Sequence, residues 1–593
     1  MDTSCTLTFA DSGFVFDVPD TYSNQPQTVA IKAVKKSDAT QQCVPGFASQ
    51  AKSIKFWSSY INPSANPYNS KMTLNSNVLG TSQASATSVS LQFDAQGQSS
   101  ISVNYPDAGQ VQLDARYDGT GEESGLVMSG SDQFVARPVG LCITTASGQC
   151  QSDYVNCSVF KKAGETFPLQ LQAVGWESAN DADICSGNLA TPNFALNSIA
   201  LGSTLVAPNP GTNATVGKVS YNHAPAADGR NRVDQSVSEV GVFKMTATPP
   251  TNGYIGYTIP PASSAPVGRF TPYDFVLSNG SVTAGCGSFS YMGQPMPTSF
   301  TVTARNSSGG TTRNYRDEFA RGLVSLVAEN GDNGVPLSSR LGGLGSLGWQ
   351  AGLFTANQHP ETFARNTPPD GPFSQLAIGV SVDDQDDIPL LNRNMDVLSS
   401  GSCGSSCSAV RLSTQDLRHG RLSVSSGRAA IDSALALPLI MESYTGSGWQ
   451  RNVDDACTQF DLKVSKGFVF DRTYDAAKAQ LTLNDNSSTS LLALTTSRDM
   501  PTGQPTSATA QAGYIWLHFT APGISDRVNY QLDLNKQPKQ PTWLSFDWNG
   551  NGLVEVENDE GLVEVEVEDM SGWAFFNQWR SSDRVIYRRE VLN

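Results

Sequence analysis

The sequence predicts an all-β protein built from tandem immunoglobulin-like antiparallel β-sandwiches, and three observations carry that expectation. Apolar and polar residues alternate with period two in short runs bounded by turn residues. The chain is poor in charge, 16% against roughly 25% in an average globular protein, and rich in Gly (52) and Pro (32). Ten cysteines stand without a single Cys-x-x-Cys spacing and beside only four histidines, which fits disulfides better than zinc.

The alternation runs the length of the chain. Val89, Leu91 and Phe93 share one face of a strand, as do Ile101, Val103 and Tyr105. Val111-Gln-Leu113-Asp-Ala115-Arg-Tyr117 repeats the pattern, and so do Phe167–Ala173 and Val528–Leu534. Asp94–Gly97, Pro106–Gly109 and Asp118–Gly121 read as the turns between such runs. One wet face per strand points to antiparallel sheets packed in pairs. Ala429–Leu437 and Tyr474–Leu481 can be read as strand or as helix.

At 593 residues the chain has room for about three to five domains. The reading divides it into 1–137, an N-terminal Ig-like sandwich, and 138–268, a Cys-rich sandwich. A middle β region follows over 269–451, as one or two small sandwiches. The last segment, 452–593, is a sandwich with an acidic loop and a Glu-rich hairpin.

Disulfides are expected to join Cys5 to Cys43. Cys142, Cys150, Cys157 and Cys185 pair among themselves in one of three ways, and Cys403 with Cys407 closes a tight loop, which leaves Cys286 and Cys457. Such bonds belong to an oxidising compartment. The chain is therefore expected to be exported to the periplasm, the outer surface or beyond, although no leader is visible at Met1. The net charge of −16 repels a polyanion, so nucleic acid is not an expected partner. No apolar run approaches the roughly 20 residues of a membrane span.

Enzyme signatures are missing: there is no G-x-S-x-G, H-E-x-x-H or G-x-x-x-x-G-K. The chain is expected to be non-catalytic. His518, on an alternating strand, reads as structural. The sharpest local motif is Asp547-Trp-Asn549-Gly-Asn551-Gly552. Side-chain oxygens at alternate positions before a Gly can wrap Ca²⁺, with the Leu553 carbonyl and Glu555 completing the set. Asn558 stands where an EF-hand has its bidentate Glu, and an Asx turn without metal is the competing reading. Asp383–Asp387 reads as a solvated loop.

From Leu553 to Asp569 valines alternate with glutamates around a turn at Asn558–Gly561, a hairpin whose charges guard an exposed edge. Two aromatic groups, Phe56/Trp57/Tyr60 and Trp543/Phe546/Trp548, fit core packing, with stacking on sugars as the alternative.

An ordered set of stretches resembles the MSHA biogenesis protein MshQ family, tied to a type IV pilus. It comprises Phe56-Trp-Ser-Ser-Tyr-Ile-Asn-Pro63, Phe134–Pro138 and Val267–Phe275, then Cys286 with Phe289–Met296, Thr303–Asn306 and Thr312–Tyr315. His419–Leu422, Tyr444, Asn452-Val-Asp-Asp-Ala-Cys-Thr458, Phe546–Trp548 and Asp583–Glu590 complete it. The resemblance implies a structural or adhesive surface protein whose partners are pilus or cell-envelope proteins. A Ca²⁺-dependent protein that binds surface glycans is the alternative, and a polysaccharide-active enzyme the third. No catalytic residue comes with it.

Overall fold

In the computed structural model, which describes residues 12–37, 43–63, 66–396, 403–484, 488–548, 550 and 569–578, the alternation becomes strand after strand. No α-helix occurs among the described residues, only short 3-10 turns between strands. Both ambiguous segments are extended: Gly427–Ala430 and Leu435–Tyr444 are strands, as are Tyr474–Asp475 and Gln480–Thr482. No helix among the described residues is long and apolar enough to cross a membrane.

The chain forms two units, one of 1–274, 304–321 and 350–352, the other of 275–303, 322–349 and 353–593. In the first unit, Gly109–Asp118 buries every second residue and pairs antiparallel with Val127–Arg137 and with Ala51–Asn62. Its inward side chains Val111, Leu113 and Ala115 meet Phe14, Ile54, Phe56, Phe93 and Phe134 in one core. Each large apolar side chain so buried contributes about 1.5–3 kcal/mol relative to exposure. The turn at Asp94 closes through Gly97 N–H on the Asp94 carbonyl at 3.0 Å. Gly97 has φ +68° there, and a Cβ would lie 2.7 Å from the Gly46 carbonyl oxygen, so only glycine fits.

The sandwiches close in a common way. The early strand Ser12–Val15 pairs antiparallel with Gln27–Lys36 and parallel with the late strand Val127–Arg137, at Gly13 and Ser129. The same early-to-late parallel pairing recurs for Lys161–Lys162 with Val267–Thr271 and for Ser290–Tyr291 with Val410–Arg418. It occurs a fourth time for Gly427–Ala430 with Ser571–Asn577. Parallel neighbours cannot be joined by a hairpin, so each pairing ties the two ends of one sandwich together.

Two lines expected from sequence are crossed: the strand Val267–Thr271 runs through the one at 268 while pairing with Lys161–Lys162, and a sheet spans the one at 451. Gly420–Val424 pairs with Leu435–Tyr444, which pairs with Tyr514–Phe519, so residues 420–451 share a sheet with residues beyond 452. The turn-rich Asn452–Asp455 stretch that suggested a boundary is a loop inside the sandwich.

Among the described residues four disulfides are formed: Cys142–Cys185, Cys150–Cys157, Cys286–Cys457 and Cys403–Cys407. The pairing among the four clustered cysteines is thereby resolved, and the two cysteines left over from sequence do join. Cys5 lies outside the described residues, as does most of the Glu-rich hairpin.

Candidate functional site

The expected Ca²⁺ loop starts in the second unit, after the 3-10 turn Thr542–Leu544. Buried Trp543 and Leu544 anchor that turn, and Phe546, Asp547 and Trp548 follow, each half-buried. Asp547 Oδ1 accepts the Gly550 N–H at 2.6 Å, a side-chain bond to the backbone three residues on. Asn549, Asn551, Leu553 and Glu555 lie outside the described residues. The turn is held at its base by fully buried Asp569, whose Oδ1 accepts the Trp548 N–H at 2.6 Å.

Beside Asp547 the strands assemble an aromatic face. Trp548 donates its indole N–H to the Leu422 carbonyl at 3.2 Å. Its ring lies 5.2 Å from Phe546, which lies 5.1 Å from Trp449. Tyr444 adds a fourth ring, 5.7 Å from Trp449. The Arg421 guanidinium sits 4.1 Å from both Trp449 and Trp548, a cation held between two indoles. Glu442 accepts its Nε–H at 2.7 Å. Burial pulls the Arg421 pKa down and Glu442 opposes the shift. The group Trp543/Phe546/Trp548 is thus divided: Trp543 is core, while the other two share a half-open face. In the other group Phe56 is core, and half-buried Tyr60 donates to the Ala108 carbonyl at 2.9 Å.

Under this face lies a half-buried cation with no carboxylate among its described hydrogen-bond partners. Arg365 donates to the carbonyls of Ser545 (2.7 Å) and Gly420 (2.9 Å) and to His419 Nε2 (3.0 Å). Burial lowers its pKa to about 10. Because Arg365 can only donate, His419 Nε2 must accept, and the imidazole proton sits on Nδ1. Burial, reinforced by the Arg365 charge, lowers the His419 pKa to about 4. His518 is also structural: it is buried, with Nε2 3.1 Å from the Ser497 carbonyl.

Sequence reasoning missed two polar clusters that join sandwiches inside a unit. In the second unit, fully buried Asp455 accepts from Tyr291 (2.8 Å), the Thr458 hydroxyl (2.7 Å) and the N–H groups of Cys457 and Thr458 (3.0 Å each). Asn452 Nδ2 donates to the Tyr291 hydroxyl at 2.8 Å, and Arg418 reaches Asn452 and Asp454 at 2.7 Å. The Cys286–Cys457 disulfide lies against the same carboxylate, so Cys286, Asp455 and Cys457 are a covalent staple and not a thiolate metal site.

In the first unit, buried Asp107 accepts from Ser70 (2.5 Å) and from Asn193 Nδ2 (2.7 Å) and N–H (3.0 Å). Arg137 lies between the rings of Tyr22 and Tyr257, at 4.5 and 4.4 Å. The same unit takes in 304–321, where the Arg313 and Asn314 amides donate to buried Glu239. The Asn452–Thr458 motif was visible in the sequence, but its partner Tyr291 stands 164 residues before Asp455. The acidic run near Asp383 is a turn in which Asp384 Oδ1 accepts the Asp386 N–H at 2.9 Å.

Four models of one family match the chain in order. The domain of unknown function DUF6701, first Ig-like domain, covers residues 2–131. Its second domain matches 137–234, its third 239–410 and its fourth 418–591. No curated protein matches. Among solved structures, the chain is similar to invasin, a bacterial integrin-binding protein, at 10% identity and a TM-score of 0.32, over 88% of this chain and 76% of that one. It is also similar to the I-band fragment I67–I69 of titin, at 11% identity and a TM-score of 0.24, over 69% of this chain and 99% of that one. No functional statement follows from likeness at these values.

Proposed function

We propose, from the premise that the chain belongs to the DUF6701 family, that it is a non-catalytic, exported surface protein that bears load in a structural or adhesive assembly. The observation that carries this reading is the joining of neighbouring sandwiches inside each unit. Domains in tandem ordinarily move on linkers. Here Cys286–Cys457 links the third sandwich covalently to the fourth, and Asp107 and Asn193 bury a charge-assisted contact between the first and second. Four disulfides support an oxidising compartment.

Extension of the single full chain by force tests the reading. The Cys286–Cys457 bond shields the 171-residue separation it spans, about 600 Å of extended chain at roughly 3.3–3.6 Å per residue. Unfolding of the oxidised protein should fall short by that length, and reductant should restore it. Equal lengths in both conditions would overturn the load-bearing staple.

The resemblance in sequence supports a finer reading, association with a type IV pilus of the MSHA kind. Pilus proteins should then co-purify with the chain after cross-linking on cells. Recovery of envelope proteins alone would remove the pilus and leave a structural role. A second reading is favoured by the face of Trp449, Phe546 and Trp548 beside Asp547: Ca²⁺-dependent binding of surface glycans, with Asp547, Asn549, Asn551, Leu553 and Glu555 holding the ion. Glycan-array signal lost with chelator would support it, and signal indifferent to chelator would exclude the calcium.

A further inference from the structure

A small cavity on the third sandwich is used by none of these readings. The segment after Asp384 returns over the strands Gly322–Asn330 and Phe373–Asp384, and there Val327, Ala377, Met395 and Ala409 form an apolar cluster of their own. The approach is close. A Cβ on Gly379 would lie 2.7 Å from Met395 Sδ and from the Val410 carbonyl oxygen, so glycine at 379 lets the segment settle on the sheet. The Cys403–Cys407 disulfide closes a five-residue loop beside it.

Next to this cluster lies a cavity of about 330 Å³ bordered by Glu329, Arg393, Met395, Asp396, Arg411 and the disulfide. Glu329 is 5% exposed, yet its Oε2 has no hydrogen-bond partner among the described residues. A buried carboxylate oxygen without a donor is costly, and most native structures avoid it. Asp396 is buried as well, at 6% exposure, whereas Arg393 and Arg411 are exposed. The cavity therefore has an acidic floor and a basic rim. Burial raises the Glu329 pKa, Arg411 opposing and Asp396 adding to it.

The complement of such a site carries both charges. A metal ion would meet two carboxylates, the Asn394 amide and two guanidinium groups, a poor donor set for Ca²⁺, which takes six to eight oxygens. A simple anion would satisfy the rim and leave Glu329 orphaned. The volume sits at the small end of ligand pockets, which run from roughly 300 to 1,000 Å³.

We propose that this cavity binds a small zwitterion of the amino-acid class, its ammonium donating to the orphaned Glu329 oxygen and its carboxylate facing Arg393 and Arg411. The ligand chemistry is common to a free amino acid and to the zwitterionic end group of a short peptide. The test is a titration of the full, oxidised chain by calorimetry and ligand-observed NMR at pH 7. The probes are glycine, L- and D-alanine and L-lysine, then L-alanyl-L-lysine, with methylamine and acetate as single-charge controls.

Saturable binding of at least one zwitterion, at least tenfold tighter than either control, is the expected result. Glu329→Gln keeps the side-chain shape and should weaken that binding at least tenfold, while Arg411→Gln should weaken it with the urea midpoint unchanged. Preference for the free amino acids or for the dipeptide separates the two sources. Binding by no probe, binding equal to that of methylamine or acetate, or unchanged affinity in Glu329→Gln would each overturn the proposal.

Discussion

Acidification should weaken the second unit through His419, and the size of the effect can be worked out. In the folded chain the imidazole is 2% exposed and accepts from Arg365 at 3.0 Å, and its pKa falls from 6.5 to about 4. The unfolded chain therefore binds a proton between these values that the folded chain refuses. The contribution of His419 is complete above pH 6.5, declines as pH falls, and is lost below about 4. A shift of 2.5 units corresponds to about 3.4 kcal/mol, and at pH 4.5 the loss comes to about 2.5 kcal/mol. Carboxylates titrate in the same range, so the assay is differential: urea unfolding of the second unit at pH 7.5 and 4.5, wild type against His419→Gln. Glutamine can accept from Arg365 and does not titrate. At ~2–3 kcal/mol/M the wild-type midpoint should drop by about 1 M more than that of the variant. Arg365→Leu removes the neighbouring charge and should shrink the acid loss. Parallel losses in wild type and His419→Gln would refute the reasoning.

Further outcomes follow from the same structure. His223, 2% exposed with a pKa lowered by burial to about 4, should give the first unit a similar acid weakness that His223→Gln relieves. Replacing Cys286 and Cys457 by Ala should destabilise the second unit by about 5 kcal/mol on loop entropy, against about 2.5 kcal/mol in the first unit for the short loop of Cys150–Cys157; equal midpoint shifts in chemical denaturation would contradict that scaling. Asp455→Ala strands the Tyr291 hydroxyl and two amides in the core, so a loss of ~3 kcal/mol or more is expected by the same measurement, with near-wild-type values counting against the network. Calorimetry with millimolar Ca²⁺ should show binding that Asp547→Ala abolishes, and equal heats would leave the loop as an Asx turn.

What the sequence disclosed follows from the range of each signal. Strands such as Gly109–Asp118 were legible because one buried face imposes a period of two on the chain itself. Four of the five expected disulfides fall among described residues, and counting sufficed for Cys286 and Cys457 because every nearer partner was already assigned. The boundary placed at 452 fails for a related reason. A polar loop looks alike between two domains and between two strands of one sheet, and only the pairing of Leu435–Tyr444 with Tyr514–Phe519 separates the cases. The joining clusters could not be assembled from local signals: Asp107 and Asn193 are 86 residues apart, and the visible Asn452–Thr458 stretch gives no sign of its partner Tyr291.

The buried charges carry this further. Arg365, Asp107, Glu239, Glu329 and Asp455 lie at least half-buried in a chain with unusually few charged residues. Replacing a buried ionic contact by apolar packing is often neutral or stabilising, whereas removing one partner is severe. Such groups therefore add little net stability, but they penalise any arrangement in which their partners separate. Asp107 and Asp455 stand where one sandwich meets the next, and each takes hydrogen bonds from both sides of that junction. Parting the sandwiches would expose tyrosine and asparagine donors and strand a carboxylate, whereas an apolar junction could slide or repack at small cost. The polar junctions resist separation of neighbouring sandwiches within a unit, which is what the proposed load-bearing role requires.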